Sequence, residues 1–209
     1  MKMEYVFSVE EATQKLFMML SEAIDWKYLK SQRCLKKTVK NLVFQINFFT
    51  SKWNLSHQKV EVSAEFCLSC KDYGKLAVNN IIAGISYHPK GDYWYDISTE
   101  KKLLSTFEDL NNKIQKTAVN LCTQFENNYC AATEILFKEY FDEYSVHLDF
   151  IADTLGILVI QEKAQEIYDR LPKEMRRQVL EYKNGVRNES WMINRNNLKY
   201  IIDNDLVRI

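Results

Sequence analysis

The chain has 209 residues, 46% of them hydrophobic and 13% aromatic, an apolar mass that disordered chains lack and that suffices for one sizeable core, or one core with a smaller appended domain. Lysine plus arginine and aspartate plus glutamate both number 28, so the formal net charge is zero and no whole-protein field is expected to attract nucleic acid or an anionic membrane. With 5 glycines and 2 prolines, long flexible linkers are not expected either.

In chain order, Ser8 followed by Glu11 reads as a capping box. Ala12, Leu16, Met19, Leu20, Ala23 and Ile24 then recur at helical spacing, which predicts a first helix ending near Tyr28 to Ser31. The period then changes to two. Phe44, Ile46 and Phe48 alternate with Gln45 and Asn47. From Gln58 to Leu68, Val60, Val62, Ala64, Phe66 and Leu68 point one way, and Lys59, Glu61, Ser63, Glu65 and Cys67 point to an expected solvent face. Further strands fit Ile81 to Tyr87 and Asp92 to Ile97, with a weaker one at Cys34 to Val39. Ser98 or Thr99 is expected to cap a long helix. Its stripe is Leu103, Phe107, Leu110, Ile114, Leu121 and Phe125, and it is expected to lie across the apolar face of the sheet. Helices follow near 130–144, 159–171, 173–183 and 196–203, with Pro172 at a start and Gly185 at a stop. The predicted class is α+β: an N-terminal helix, an antiparallel meander of four to five strands, a long helix packed on the sheet, then an all-helical part. The expected division is a sheet domain over 1–126 and a helical extension over 127–209.

No secretory leader is expected, because Met1 to Tyr5 runs into a helix start without an apolar stretch. The longest apolar run, Ile151 to Ile160, is broken by Asp153 and too short for a bilayer. The cysteines therefore read as reduced thiols, and the expected location is cytoplasmic. Abundant Asn, Lys, Ile and Tyr fit an AT-rich coding genome, such as that of low-GC bacteria and their mobile elements.

The segment Phe44-Gln45-Ile46-Asn47-Phe48-Phe49-Thr50-Ser51-Lys52-Trp53-Asn54 resembles an uncharacterised bacterial family, domain of unknown function four-three-zero-four. That family has a leading helix, a basic segment, a strand of the type Q-x-S-x-W-N, a second alternating strand, and a later Trp before its long helix. Trp94 occupies that last place here. The resemblance covers roughly residues 10 to 126, and Arg33-Cys34-Leu35 stands where the family has Gly-Phe. It implies an α+β fold and no known reaction, so it transfers no catalytic residue.

Candidate chemistry is sparse. Cys67-x-x-Cys70 has metal-ligand spacing, but zinc needs a second converging pair, and His57, His88, Cys122 and Cys130 form none of the usual kind. No G-x-S-x-G elbow accompanies the three histidines, and the isolated glycines form no phosphate-cradling loop. Glu61 and Glu65 share a strand face with Lys59 in line, but carboxylates four residues apart on a strand sit about 13 Å apart, too far to share one ion. The basic run Lys27, Lys30, Arg33, Lys36, Lys37, Lys40 reads either as a local patch or as an edge strand defended by lysine.

Tyr93-Trp94-Tyr95, with Trp53 in another loop and Trp191 near the end, are interface-type aromatics. In a strand, Tyr93 and Tyr95 would share one face and Trp94 would take the other, one of the two faces being core, with Trp94 either displayed or packed under a terminal helix. The leading expectation is a non-catalytic protein-interaction module of a bacterial or phage system, an immunity, defence or counter-defence component. It would bind a protein encoded nearby through Trp53, Tyr93, Trp94, Tyr95 and Trp191, and a homo-oligomer is a further expectation. No cofactor, metal, nucleic-acid or membrane partner is expected. The alternative is an enzyme or a small-ligand or nucleotide-binding protein, with a dispersed site of His57, Glu61, Glu65 and His88 between sheet and tail.

Overall fold

In a computed structural model of the chain, which describes residues 5–72, 81–142, 146–188 and 196–208, Ser8 and Glu11 make the reciprocal cap that starts helix α1 (Val9–Ile24). The Ser8 hydroxyl accepts from the Glu11 N–H at 3.3 Å, and the Glu11 carboxylate accepts from the Ser8 N–H at 2.8 Å. The helix stops earlier than its periodicity predicts. Asp25 turns left-handed at φ 55°, and Trp26 swings into the core edge-on to Phe44. Burying an indole outweighs continuing the helix, and Lys27–Leu29 becomes the short strand β1.

Strands β2 (Cys34–Val39), β3 (Leu42–Thr50), β4 (Glu61–Cys70) and β5 (Ile81–Tyr87) continue an antiparallel meander in the order β1-β2-β3-β4-β5. A two-residue turn with Lys40 left-handed at φ 53° joins β2 to β3. Strand β6 (Tyr95–Asp96) also pairs with β4. The register puts Leu42, Phe44, Ile46 and Phe48 opposite Cys70, Leu68, Phe66 and Ala64, so one face is continuously apolar. Phe17 of α1 stacks on Phe48 at 4.0 Å, and Phe125 meets Phe44 at 5.9 Å, which places the helices on that face.

The opposite face of β4 departs from expectation. Ser63 and Cys67 are buried rather than solvated. Strand β4 is central, and these small side chains sit opposite the longer Phe49 and Gln45. The Asp92–Ile97 strand shrinks to Tyr95–Asp96, and the β4 strand starts at Glu61 because an ordered loop occupies the preceding residues.

The long helix is α2 (Glu100–Ile114), a π-helical turn (Gln115–Val119) and α3 (Asn120–Asn127) in succession. Leu103, Leu110, Ile114, Leu121 and Phe125 are buried as the stripe predicts, while Thr106 replaces the half-buried Phe107. Thr99 takes the N-cap position without a capping side-chain bond, while Ser98 accepts from the Val60 N–H and donates to Asp96.

Helix α4 (Tyr129–Tyr140) follows. The chain divides into two compact units, Met1–Ala132 with Asp142–Ser145, and Thr133–Phe141 with Val146–Ile209. The second contains α5 (Leu148–Leu155), a 3-10 turn (Ile157–Ile160), α6 (Gln161–Asp169), α7 (Lys173–Lys183) and α8 (Asn196–Asp203). Helix α5 was not evident from periodicity. Helix α8 docks within its own unit: Asn197 accepts from the Leu148 N–H at 2.7 Å and donates to the Val146 carbonyl at 2.8 Å, and the Tyr182 hydroxyl donates to Asp203 at 2.9 Å.

Phe44 is fully buried and touches three other aromatic rings, Trp26, Phe66 and Phe125. Phe44→Ala is expected to cost roughly 3–5 kcal/mol in urea unfolding. A loss below about 1 kcal/mol would show that the ring is not central to the core.

Candidate functional site

Strands β5 and β6 run along the same edge of β4. Tyr87 pairs with Ala64 and Tyr95 with Val62, so while β4 advances past Ser63 alone, the edge strand inserts the whole segment from His88 to Trp94. This aromatic excursion is an enlarged bulge, the kind of feature that redirects side chains at a sheet edge.

Its conformation is held from within and from below. Asp92 accepts from the N–H groups of Tyr93 (2.6 Å) and Trp94 (3.3 Å), as in an Asx turn. The His88 Nδ1 lies 3.2 Å from the Tyr93 carbonyl, which accepts its proton, and the two rings lie 4.5 Å apart. Tyr93 meets Trp94 edge-on at 5.1 Å. From α2, the Lys113 ammonium donates to the His88 carbonyl (2.6 Å), the Tyr95 hydroxyl (2.8 Å) and Asp109 (2.6 Å), using its three protons. The Tyr95 hydroxyl in turn donates to Asp109 at 2.7 Å. Burial, and then the Asp109 carboxylate, push the Tyr95 phenol well above its ordinary range, so it remains a protonated donor. Beside this anchor, Tyr87 and Thr117 hydroxyls lie 2.6 Å apart at the π-helical turn, where Thr117 also donates to the Lys113 carbonyl.

Tyr95 is therefore interior, 4% exposed, while Tyr93 is 56% exposed. The face shared by Tyr93 and Tyr95 in an extended strand does not form, because the strand begins only at Tyr95. Trp94 is half-buried and Trp191 lies outside the described residues.

Trp53 sits on the β3–β4 connection and is 74% exposed, with the Lys52 ammonium 5.1 Å from its ring centroid. That loop is also built. The Asn54 side chain bonds the Glu61 backbone twice (2.9 and 2.7 Å), Ser51 donates to the Glu61 carbonyl, and Leu55 and Lys59 exchange backbone bonds at 2.9 Å. Phe49 and Leu55 are exposed beside it in sequence. All these positions lie at the end of the sheet where β3 and β5 finish and β4 begins.

The alternative polar set is dispersed among separate partners. His57, left-handed at φ 63°, binds the N-terminal segment: its Nδ1 is 2.9 Å from the Val6 carbonyl, and its N–H donates to Phe7. Glu61 pairs with Lys59 at 2.7 Å, and Glu65 faces Asn47 and Ser86 across the sheet. His88 belongs to the aromatic loop. Cys67 and Cys70 cannot share an ion, since an odd spacing on a strand sends them to opposite faces. Among the described residues, no three His, Cys, Asp or Glu side chains gather in metal-binding geometry. All five cysteines are free thiols. Burial, followed by neighbouring Glu65 or Glu126, pushes the Cys67 and Cys122 thiols up to about 12, which leaves them poor nucleophiles. Among the described residues, no helix is long and apolar enough to cross a membrane.

The second unit carries its own half-buried titratable pair at the start of α5. Burial lifts the Asp149 carboxyl to about 6 and lowers the His147 imidazole below 6.5. Burial thus favours the uncharged imidazole, which weakens their 3.7 Å approach as an ion pair.

Lys113→Met is expected to raise hydrogen exchange across the 88–94 loop and to cost about 1–3 kcal/mol, since the His88 carbonyl loses this donor and Asp109 keeps only the Tyr95 hydroxyl of the two described. Unchanged protection there would assign the loop's order to other contacts. For Asp149 the sign is set by a folded value above the unfolded 3.8: the fold loses stability as pH rises through about 6. Asp149→Asn is therefore expected to stabilise at neutral pH by on the order of 2 kcal/mol, with the gain vanishing in acid, as read from urea melts at several pH values. A gain that persists in acid would refute the assignment.

No protein-family model matches the chain, and neither a curated protein nor a solved structure matches it significantly.

Proposed function

We propose that this protein acts by binding a partner protein through the loops at one end of its sheet, with Trp53 and Tyr93 as anchors and Trp94 beside them. The observation that carries the reading is that both exposed aromatics sit on loops stiffened by side-chain-to-backbone bonds, Asn54 under one and Asp92 with Lys113 under the other. Solvent-exposed aromatics on flexible loops lose entropy on binding. Aromatics held in place beforehand lose less, and Trp and Tyr dominate interface energetics. His57, Glu61 and His88 of the enzymatic alternative are engaged in separate structural contacts, and Glu65 lies between Asn47 and Ser86 in the sheet, which favours binding over catalysis. The setting we propose, a bacterial or phage immunity, defence or counter-defence system with the partner encoded nearby, rests on composition. Membership of the four-three-zero-four family is part of the same proposal and brings no reaction with it.

The test is co-purification from the native host followed by titration of the captured protein. Trp53→Ala and Tyr93→Ala are each expected to cost about 2 kcal/mol, roughly thirtyfold in Kd, with unchanged circular dichroism. Leu158→Ala, on the second unit and itself 80% exposed, should leave affinity unaltered. Capture that survives the double aromatic variant, or is lost with Leu158→Ala instead, would place the interface elsewhere.

A further inference from the structure

The two edges of the sheet are guarded differently. Strand β1 is three residues long, and its Lys27 lies opposite Lys36. Short length and lysine are the usual protection of an edge against pairing with another chain. Strand β5 has neither. Ile81-Ile82-Ala83-Gly84-Ile85-Ser86-Tyr87 carries no charge and no proline, and among the described residues no strand pairs with its outer side. Every second residue of such a strand turns its N–H and C=O away from the sheet. An irregularity at Leu68/Ser69 disturbs the β5 start, but Ala83 to Tyr87 stay in regular register with β4. Gly84 is kept small by its own sheet, since a Cβ there would lie 3.1 Å from the Phe66 carbonyl oxygen.

We propose that two copies of this chain pair antiparallel through the outer edges of β5, about a twofold axis at Ile85. This goes beyond the partner-binding reading and does not depend on it. The occupant follows from charge and shape. A charged strand laid against this edge finds no counter-charge on β5, whereas the same strand from a second copy brings no charge that needs one. Neutral chains also approach each other without net repulsion. In this register Ile85 faces Ile85 of the second copy, and Ala83 faces Tyr87, so the apolar face of one sheet continues into the other with small against large. On the reverse face Gly84 meets Ser86. Ile85, half-buried in the single chain, becomes covered. The contact is self-complementary, as a twofold interface requires. A ladder this short buries less than the roughly 1,000 Å² of a tight complex, so the affinity is expected in the micromolar range.

Sedimentation equilibrium from low to high micromolar protein tests the pairing. The unmodified chain is expected to approach twice its own mass. Ile85→Lys and Ile85→Glu, each alone, should stay monomeric, because like charges then stand directly opposite, and an equimolar mixture of the two should recover the dimer. Should the Ile85 variants fail to fold, Ser86→Lys, at an exposed position, is expected to weaken association. Tyr28→Lys on the opposite edge should leave it intact. A wild-type chain that remains monomeric at high micromolar concentration overturns the proposal. So does a dimer that survives Ile85→Lys or Ser86→Lys, or folded Ile85 variants whose mixture fails to re-associate.

Discussion

The first unit depends on the pairing of β4 along both of its edges. Strand β3 holds one edge from Val62 to Cys70, while β5 and then β6 share the other. A strand so enclosed has its backbone groups satisfied, and its register then decides what every neighbour can do. Phe66 and Leu68 lie on the helix-facing side and meet Phe44, whose ring also meets Phe125. Ser63 and Cys67 face the other way and are buried for lack of length rather than for hydrophobicity. The loops with functional interest begin or end on β4 or on a strand paired to it.

That arrangement explains why the site is a matter of surfaces. A central strand leaves no room for a cleft between its neighbours, so chemistry-bearing side chains on it are spent on lateral contacts: Glu61 on Lys59, and Cys67 on Asn47 of β3. What remains free lies where the edge strand is forced outward, at the His88–Trp94 excursion, and where β3 turns back into β4. The Asp96 carboxylate shows the cost of this corner. Burial raises it, but Lys102 and Ser98 together outweigh that effect and hold it below the usual carboxylate range. The same Ser98 also takes the Val60 N–H, which joins the strand end to the start of α2.

The partition between legible and illegible features follows the range of the forces involved. The alternation of β3, β4 and β5, the capping box of α1 and the helical stripe of α2 and α3 are local patterns, and each appears in the structure with only its ends moved. The ends moved for tertiary reasons. Burial of Trp26 cut α1 short, and the bonding of Asn54 to Glu61 delayed β4. A Thr117 hydroxyl shared between Tyr87 and its own helix accompanies the π-helical turn that no periodicity announces. Helix α5 was missed because its apolar residues form a run and not a stripe, and because Asn197, far along the chain, completes its first turn.

At the candidate site, sequence alone determined that Trp53, Tyr93, Trp94 and Tyr95 were the aromatics to watch, and that no nucleophile elbow or phosphate loop accompanied them. It could not separate Tyr93 from Tyr95, because the excursion that exposes one and buries the other arises from a pairing between residues 62 and 95. Nor could it single out Lys113, although the Asp109–Lys113 spacing on a helix was visible. That spacing is common on solvated helices, and only the tertiary fold brings the Tyr95 hydroxyl and the His88 carbonyl to the same ammonium. Side-chain type and local period are properties of neighbouring residues. Which aromatic reaches solvent is decided by contacts between residues far apart in the chain.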